Sequence, residues 1–376
     1  MVGHDLLLYN TLMNKDADVR PYVDTLFAKA LAEEASDIHV EPTASGAEVR
    51  LRIDGLLQTI DHLSTESGRS TVLRLMVLAQ LLTYRLDIPQ EGRITWDPVA
   101  SASSRCPNRR IDCRLAIMPT ALGLRAVLRM PADLAQPKSL ANLALPTSAL
   151  NALQQFAKTD QGMLLITGPA GSGKTTTIYA LLEHIAATST GLSIISLEDP
   201  VERLLPGVTQ IEVTPHGQLT YERALKSILR QDPQVLMLGE IRDIATASIA
   251  VQAALSGHRL IATLHAGEPA MALARLLEMG IEPYQLTSSL FGILTQRLLR
   301  KKTSDGYRGR IPVAEFAQLD ADVRTAVLQR ADADSLKNIF ARQHTYVTMQ
   351  KVAEDLIAHG ITDEAEVQRV LGEFSR

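Results

Sequence analysis

Aromatic residues make up only 4 % of this 376-residue chain, with a single tryptophan. Alanine and leucine carry the apolar load, which suits a helix-rich α/β protein better than a sandwich or a barrel. The two cysteines, Cys106 and Cys113, cannot build a disulfide framework and fit a reducing compartment. No stretch approaches the roughly 20 apolar residues that span a bilayer. His4 and Asp5 precede only a short Leu6–Leu8 run, with no cleavage pattern after it, so no secretory signal is expected. Basic residues are not in excess either. Thirty-eight Lys and Arg against 42 Asp and Glu leave a net charge of −4, which argues against a surface devoted to nucleic acid, because phosphate binding needs a basic face. The expectation is a cytoplasmic protein that a partner must hold if it works at a membrane.

What is present is core material. Hydrophobic residues reach 46 % and charged ones 21 %, and the length favours two or three domains. From Pro21 to Ala35 the apolar positions Tyr22/Val23, Leu26/Phe27 and Ala30/Leu31 keep a helical period. Short alternating runs follow, among them Val49, Leu51 and Ile53 before an Asp54-Gly55 pair that suits a tight hairpin. A second helix is expected near Arg69–Leu82, and further strands near Arg93–Trp96, Ile111–Ile117 and Ala126–Met130. This reads as an α+β domain over residues 1–132. Pro, Ala, Ser and Asn then dominate, suggesting a linker over 133–147. From 148 to 376 short apolar strands alternate with helices, the texture of a mostly parallel sheet covered on both faces. From about residue 301 the chain is expected to become helical again.

The strongest motif is Gly168-Pro-Ala-Gly171-Ser172-Gly173-Lys174-Thr175, followed by Thr176. It satisfies the G-x-x-x-x-G-K-[ST] phosphate-binding pattern between an apolar strand and a helix. Glycines let successive backbone N–H groups face a phosphate, and the helix N-terminus adds positive charge. Lys174 is placed to reach the β- and γ-phosphates, and the Thr175 hydroxyl to hold Mg²⁺. A second apolar strand, Val235–Leu238, delivers Glu240 at its carboxyl end, where such sheets bind ligands. In isolation that segment fits an ordinary strand equally well; behind a P-loop it becomes a metal-binding acid. A third, Ile194–Leu197, runs into Glu198, Asp199 and Glu202, any one of which can orient a water. Loop carboxylates are more often simply solvated. His258 and His265 flank another strand, where imidazoles more often serve structure than phosphate sensing. No third His or Cys stands beside them with zinc spacing.

Four boxes occur in order: GPAGSGKTTT, LEDPVE, LRQDPQVLMLGEIRD and GHRLIATLH. Upstream lie EASDIHVEP, VRLRIDG, PQEGRI and IDCRLAIMPT, and downstream LTQRLLR and GYRGR. Together they resemble the ATPase superfamily of type II secretion and type IV pilus assembly, over nearly the whole chain from Pro21. The resemblance implies an N-terminal PAS-like domain, a RecA-like ATPase domain and a homo-hexameric ring that uses ATP and Mg²⁺. It also implies Glu198 as catalytic base, Glu240 as Walker B acid, His258 and His265 as the histidine box, and Arg114 and Arg129 as charge stabilisers. By themselves those two arginines read as solvated residues on a sheet. Family members commonly carry two C-x-x-C zinc pairs between the QRL and GYxGR segments. Here Arg300–Asp305 holds no cysteine, so no zinc is expected. Many members also carry a separate membrane-docking N-terminal domain, which is not expected here. Cys106 and Cys113 fall outside the zinc pattern and carry no assigned role.

The function so implied is a motor for assembly of a type IV pilus or type II pseudopilus. It would act through an inner-membrane platform protein and, indirectly, on pilin or pseudopilin. A retraction motor is the nearest alternative; an ATP-binding but silent ring subunit and a nucleic-acid translocase are more distant ones.

Overall fold

The computed structural model describes residues 19–97, 111–131, 139–213 and 219–372. The chain divides into two compact units, residues 1–135 and 136–376.

In the first unit, α1 (Val19–Ala32) and α2 (Thr65–Leu78) accompany six strands: β1 (Asp37–Thr43), β2 (Gly46–Ile53), β3 (Leu56–Leu63), β4 (Gln90–Trp96), β5 (Ile111–Thr120) and β6 (Gly123–Arg129). They form one sheet in the order β3-β2-β1-β6-β5-β4, every pairing antiparallel. Strict alternation explains its two faces. Ile111, Cys113, Leu115 and Ile117 are buried, whereas Asp112, Arg114, Ala116 and Met118 are exposed. The inward set packs with Tyr22, Val23, Leu26 and Phe27 of α1 and with Val72, Leu75 and Met76 of α2. Phe27 stacks on Trp96 at 5.2 Å between ring centroids. Asp54 and Gly55, with φ of 49° and 87°, make the left-handed pair that a two-residue hairpin demands. Burial pushes the Cys113 thiol up to about 12, which leaves it an inert core residue beside Met130. Cys106 lies outside the described residues.

The second unit opens with a short 3₁₀ turn (Leu140–Leu143) and α3 (Thr147–Phe156). Leu140, Leu143 and Leu145 are buried in the same core as Leu164 and Ile178. The stretch expected as a linker is therefore packed structure from residue 139, because three of its leucines find an apolar face; 132–138 lie outside the described residues. The chain continues through β7 (Gly162–Thr167), α4 (Lys174–Thr188), β8 (Ile194–Glu198), β9 (Thr209–Glu212), α5 (Tyr221–Ile228), β10 (Val235–Leu238), α6 (Ile244–Leu255) and β11 (Arg259–Leu264). Next come α7 (Pro269–Glu278), α8 (Pro283–Ser289), β12 (Leu290–Thr303) and β13 (Gly306–Gln318). Four short helices close the described chain: α9 (Ala321–Leu328), α10 (Ala333–Phe340), α11 (Met349–Ala358) and α12 (Glu364–Leu371).

The sheet order is β13-β12-β7-β11-β10-β8-β9. All neighbours run parallel except the β12–β13 hairpin at one edge. Strands β7, β10 and β11 are buried on both faces, which is why they read as unbroken apolar runs. One face packs against α5 to α10, the other against α3 and α4.

The region from about 301 corrects the sequence expectation. It does not turn helical at once: β12 runs to Thr303 and β13 to Gln318, and helix resumes only at Ala321. The cause is tertiary. Leu299, Ile311 and Val313 are covered by Met349, Ala353 and Val367 of the last two helices, so the hairpin acquires a second core. Glu366, with its side chain fully buried, accepts from Arg300 at 2.7 Å and from Arg369 at 2.6 Å. Burial alone would raise that carboxyl, yet hydrogen bonds from Arg369 and Arg300 hold it at about 2.

Candidate active site

Parallel strands bring their carboxyl ends to one edge, and that edge collects the predicted residues. Thr167, last of β7, pairs in register with Leu264 of β11; Leu238 of β10 pairs with Ala262 and Leu197. The P-loop, Glu240, Glu198 and His265 thus emerge on the same side of the sheet.

The loop follows its glycines. Gly168, Gly171 and Gly173 take φ of 140°, 73° and 89°. At Gly168 a Cβ would sit 2.4 Å from the Gln296 carbonyl oxygen, so only glycine fits. Gly173 caps α4 without a side-chain hydrogen bond to the helix N-terminus, leaving the first-turn N–H groups at Lys174, Thr175 and Thr176 to face a ligand. The Ser172 hydroxyl is buried without a hydrogen-bond partner among the described residues. Lys174 Nζ donates to the carbonyls of Gly168 and Pro169, both at 2.8 Å. Its pKa is lowered by burial, against an opposing pull from Glu240. An ammonium resting on two carbonyls can exchange them for phosphate oxygens with little motion. The residues fit a nucleotide triphosphate.

The loop is clamped by a residue far outside its own motif. Gln296 of β12, 1 % exposed, donates to the Ser172 carbonyl at 2.7 Å and accepts from Thr177 Oγ1 at 3.0 Å. Beside it the Thr295 and Thr167 hydroxyls share a 2.7 Å hydrogen bond. The signal was the LTQR segment, whose polar pair sits in a strand buried between neighbours.

Glu240 is held by Arg242 Nε at 2.6 Å and by His265 Nε2 at 2.9 Å. Arg242 reaches on to Asp199 at 3.2 Å, tying the ends of β8 and β10 together. Gly239 packs closely here: a Cβ would lie 2.8 Å from the Tyr221 hydroxyl and 3.2 Å from the Leu197 carbonyl oxygen. Glu198 is 3 % exposed. Its Oε2 accepts from the Tyr179 hydroxyl, and its Oε1 from Ser196 Oγ at 2.5 Å and Gln210 Nε2 at 3.0 Å.

His258 does not join the site, which corrects its grouping with His265. It precedes β11, so it lies at the opposite edge of the sheet, about 20 Å away for a six-residue strand. There its carbonyl accepts from Gly162 N and its ring nitrogen Nδ1 contacts the Ala253 carbonyl at 2.9 Å. Arg114 and Arg129 belong to the first unit, where they are cross-strand neighbours on the exposed sheet face. Arg93 pairs with Arg114 on the other side. Asp37 bridges Arg129 and Arg52 at 3.3 and 3.2 Å.

A profile of the type II/IV secretion system protein family matches residues 13–369. The chain belongs to this family. As a secretion ATPase it is 37 % identical to the type II secretion system protein HxcR of Pseudomonas aeruginosa over 374 residues, covering 94 % of this chain and 77 % of the relative. It is 32 % identical to the type IV pilus assembly ATPase PilB of Thermus thermophilus, covering 94 % of this chain but 43 % of that one. Among solved structures, the Legionella pneumophila ATPase DotB superposes with a TM-score of 0.74 at 22 % identity, covering 93 % of this chain and 95 % of the other. That likeness speaks for the fold.

Proposed function

We propose that this secretion ATPase is the motor that drives assembly of a type II pseudopilus or a type IV pilus. The reading rests on one observation above others: an uncapped helix N-terminus and a half-buried lysine, with the Glu240 carboxylate at the same carboxyl edge of the sheet. The two units are read as a PAS-like domain and a RecA-like domain. The assembly is read as a homo-hexamer on the cytoplasmic side of the inner membrane, docked to a platform protein and acting through it on pilin or pseudopilin subunits. No nucleic acid takes part. Among the described residues no helix is long and apolar enough to cross a membrane, which fits attachment through a partner.

In this mechanism Lys174 and the amides of the loop from Gly168 to Thr176 hold the β- and γ-phosphates of ATP. Thr175 and Glu240 would hold Mg²⁺, which when bound neutralises charge on those oxygens. His265 and Arg242 orient the Glu240 carboxylate. Glu198 accepts the proton of the water that attacks the γ-phosphorus, as the bond to the leaving ADP breaks. Arg114 and Arg129 supply positive charge for the transferring phosphoryl group, so turnover depends on assembly. The test is ATPase rate per mole against concentration for the full chain, with mass followed by light scattering. Rate should rise as rings form, and Arg114→Ala or Arg129→Ala should lower kcat more than ATP affinity. A rate independent of concentration in a monomer, untouched by either substitution, refutes the ring-dependent reading.

A further inference from the structure

Glu198 is enclosed as well as buried. Three donors occupy its carboxylate, from Tyr179, Ser196 and Gln210, and at 3 % exposure no water approaches it freely. Three donors fill most of the roughly four lone-pair sites of a carboxylate, and burial closes the rest to solvent, so water reaches Glu198 only if this enclosure opens. Ser196 lies two residues away on the same strand and Gln210 on the adjoining strand β9. Tyr179 alone comes from the P-loop helix, five residues beyond Lys174.

Tyr179 does more than donate to Glu198. Its hydroxyl accepts from the Glu202 backbone N–H at 3.2 Å. The Arg203 guanidinium lies 5.5 Å from its ring centroid and pairs at 2.7 Å with Glu183, one turn further along α4. The segment following β8 is therefore pinned to the P-loop helix at three points: hydroxyl, ring face and Glu183. Burial and the neighbouring Glu198 push the phenol's pKa well up, so it stays a donor at any physiological pH.

We propose that Tyr179 is a positioning residue that latches Glu198 in a withdrawn, water-excluded state, and that movement of the P-loop helix against the acidic loop releases it for catalysis. This rests on Glu198 being the base. Removing the hydroxyl leaves one carboxylate oxygen short of a donor in the withdrawn state alone, so the released state gains population. A partner that merely supported a buried carboxylate would have the opposite effect, and its loss would only lower stability and rate.

The experiment compares full-length wild type with Tyr179→Phe, Arg203→Met, Glu198→Gln and the Tyr179→Phe/Glu198→Gln double variant. Steady-state ATPase is measured at dilute and ring-forming concentrations. Tyr179→Phe is expected to raise dilute kcat roughly tenfold, the scale of one hydrogen bond to a charged group, with KM for ATP unchanged. Arg203→Met, which unpins the loop without touching Glu198, should move kcat in the same direction by less. The double variant should be as inactive as Glu198→Gln, showing that the gain runs through the carboxylate. If Glu198→Gln is inactive yet neither Tyr179→Phe nor Arg203→Met raises dilute kcat, the latch is overturned and the base assignment stands. If Glu198→Gln turns over like wild type, the base assignment itself fails and the latch falls with it.

Discussion

Truncating Gln296 to alanine tests whether β12 holds the P-loop in shape. The side chain is 1 % exposed and spans two groups across the loop: it donates to the Ser172 carbonyl at 2.7 Å and accepts from Thr177 Oγ1 at 3.0 Å. Alanine orphans both, and each buried polar group left unpaired costs about 1–3 kcal/mol, so the folded state should lose about 2–6 kcal/mol. The loop should pay separately in affinity. Its carbonyl at Ser172 is then free to turn, and the loss of about 1 kcal/mol of preorganisation weakens ATP binding roughly fivefold. Gln296→Glu sharpens the case. The new carboxylate still accepts from Thr177 but opposes the Ser172 carbonyl and any phosphate nearby, so it should bind ATP worse than Gln296→Ala. Urea unfolding midpoints give the stability term and calorimetric titration with ATP gives the affinity term. A Gln296→Ala protein with wild-type midpoint and wild-type Kd refutes the clamp.

Lys174→Ala should abolish turnover and greatly weaken ATP binding, measured on protein free of contaminating ATPase; an unchanged rate refutes the site. Glu315, 4 % exposed, has its carboxyl raised to about 7 by burial, against hydrogen bonds from Met349 N and Tyr346. Its folded pKa lies above its ordinary value of 4.5, so its stabilising contribution is complete below that value and is lost as pH rises to about 7. Glu315→Gln should therefore flatten that part of the curve of stability against pH, and an identical curve in the variant refutes the assignment. Glu366 has the opposite sign. Held at about 2, below its ordinary 4.5, it stabilises fully above the ordinary value and loses that contribution as pH falls toward 2. Glu366→Ala, which leaves the buried Arg300 contact unpaired, should cost about 3–5 kcal/mol at neutral pH by urea denaturation; a loss below 1 kcal/mol refutes the buried clamp.

Local spacing carried much of the fold. The Ile111–Ile117 alternation matched an antiparallel strand with one buried face, and Asp54-Gly55 became the left-handed hairpin pair. The unbroken apolar runs at Met163–Ile166 and Val235–Leu238 became central parallel strands. Sequence reasoning stumbled where a segment's burial came from distant chain. Residues 139–147 look like linker until Leu140, Leu143 and Leu145 meet the core around α4. The stretch from about residue 301 reads as helical until α11 and α12 cover Leu299, Ile311 and Val313 of the β12–β13 hairpin.

At the site the division is similar. Local sequence was enough to recognise the phosphate loop, because its glycines, lysine and threonine act through backbone geometry within eight adjacent residues. It also determined that Glu198 and Glu240 end apolar strands, since strand and acid are contiguous. Which side chains face those acids depends on how the strands and helices pack. Gln296 reaches Ser172 from 124 positions away, and Tyr179 and Gln210 enclose Glu198 from a helix and an edge strand. His265 touches Glu240 while His258, seven residues earlier, lies at the far edge of the sheet. Those outcomes depend on strand order and register, which arise when parallel strands from separate parts of the chain align, and no local spacing encodes that alignment.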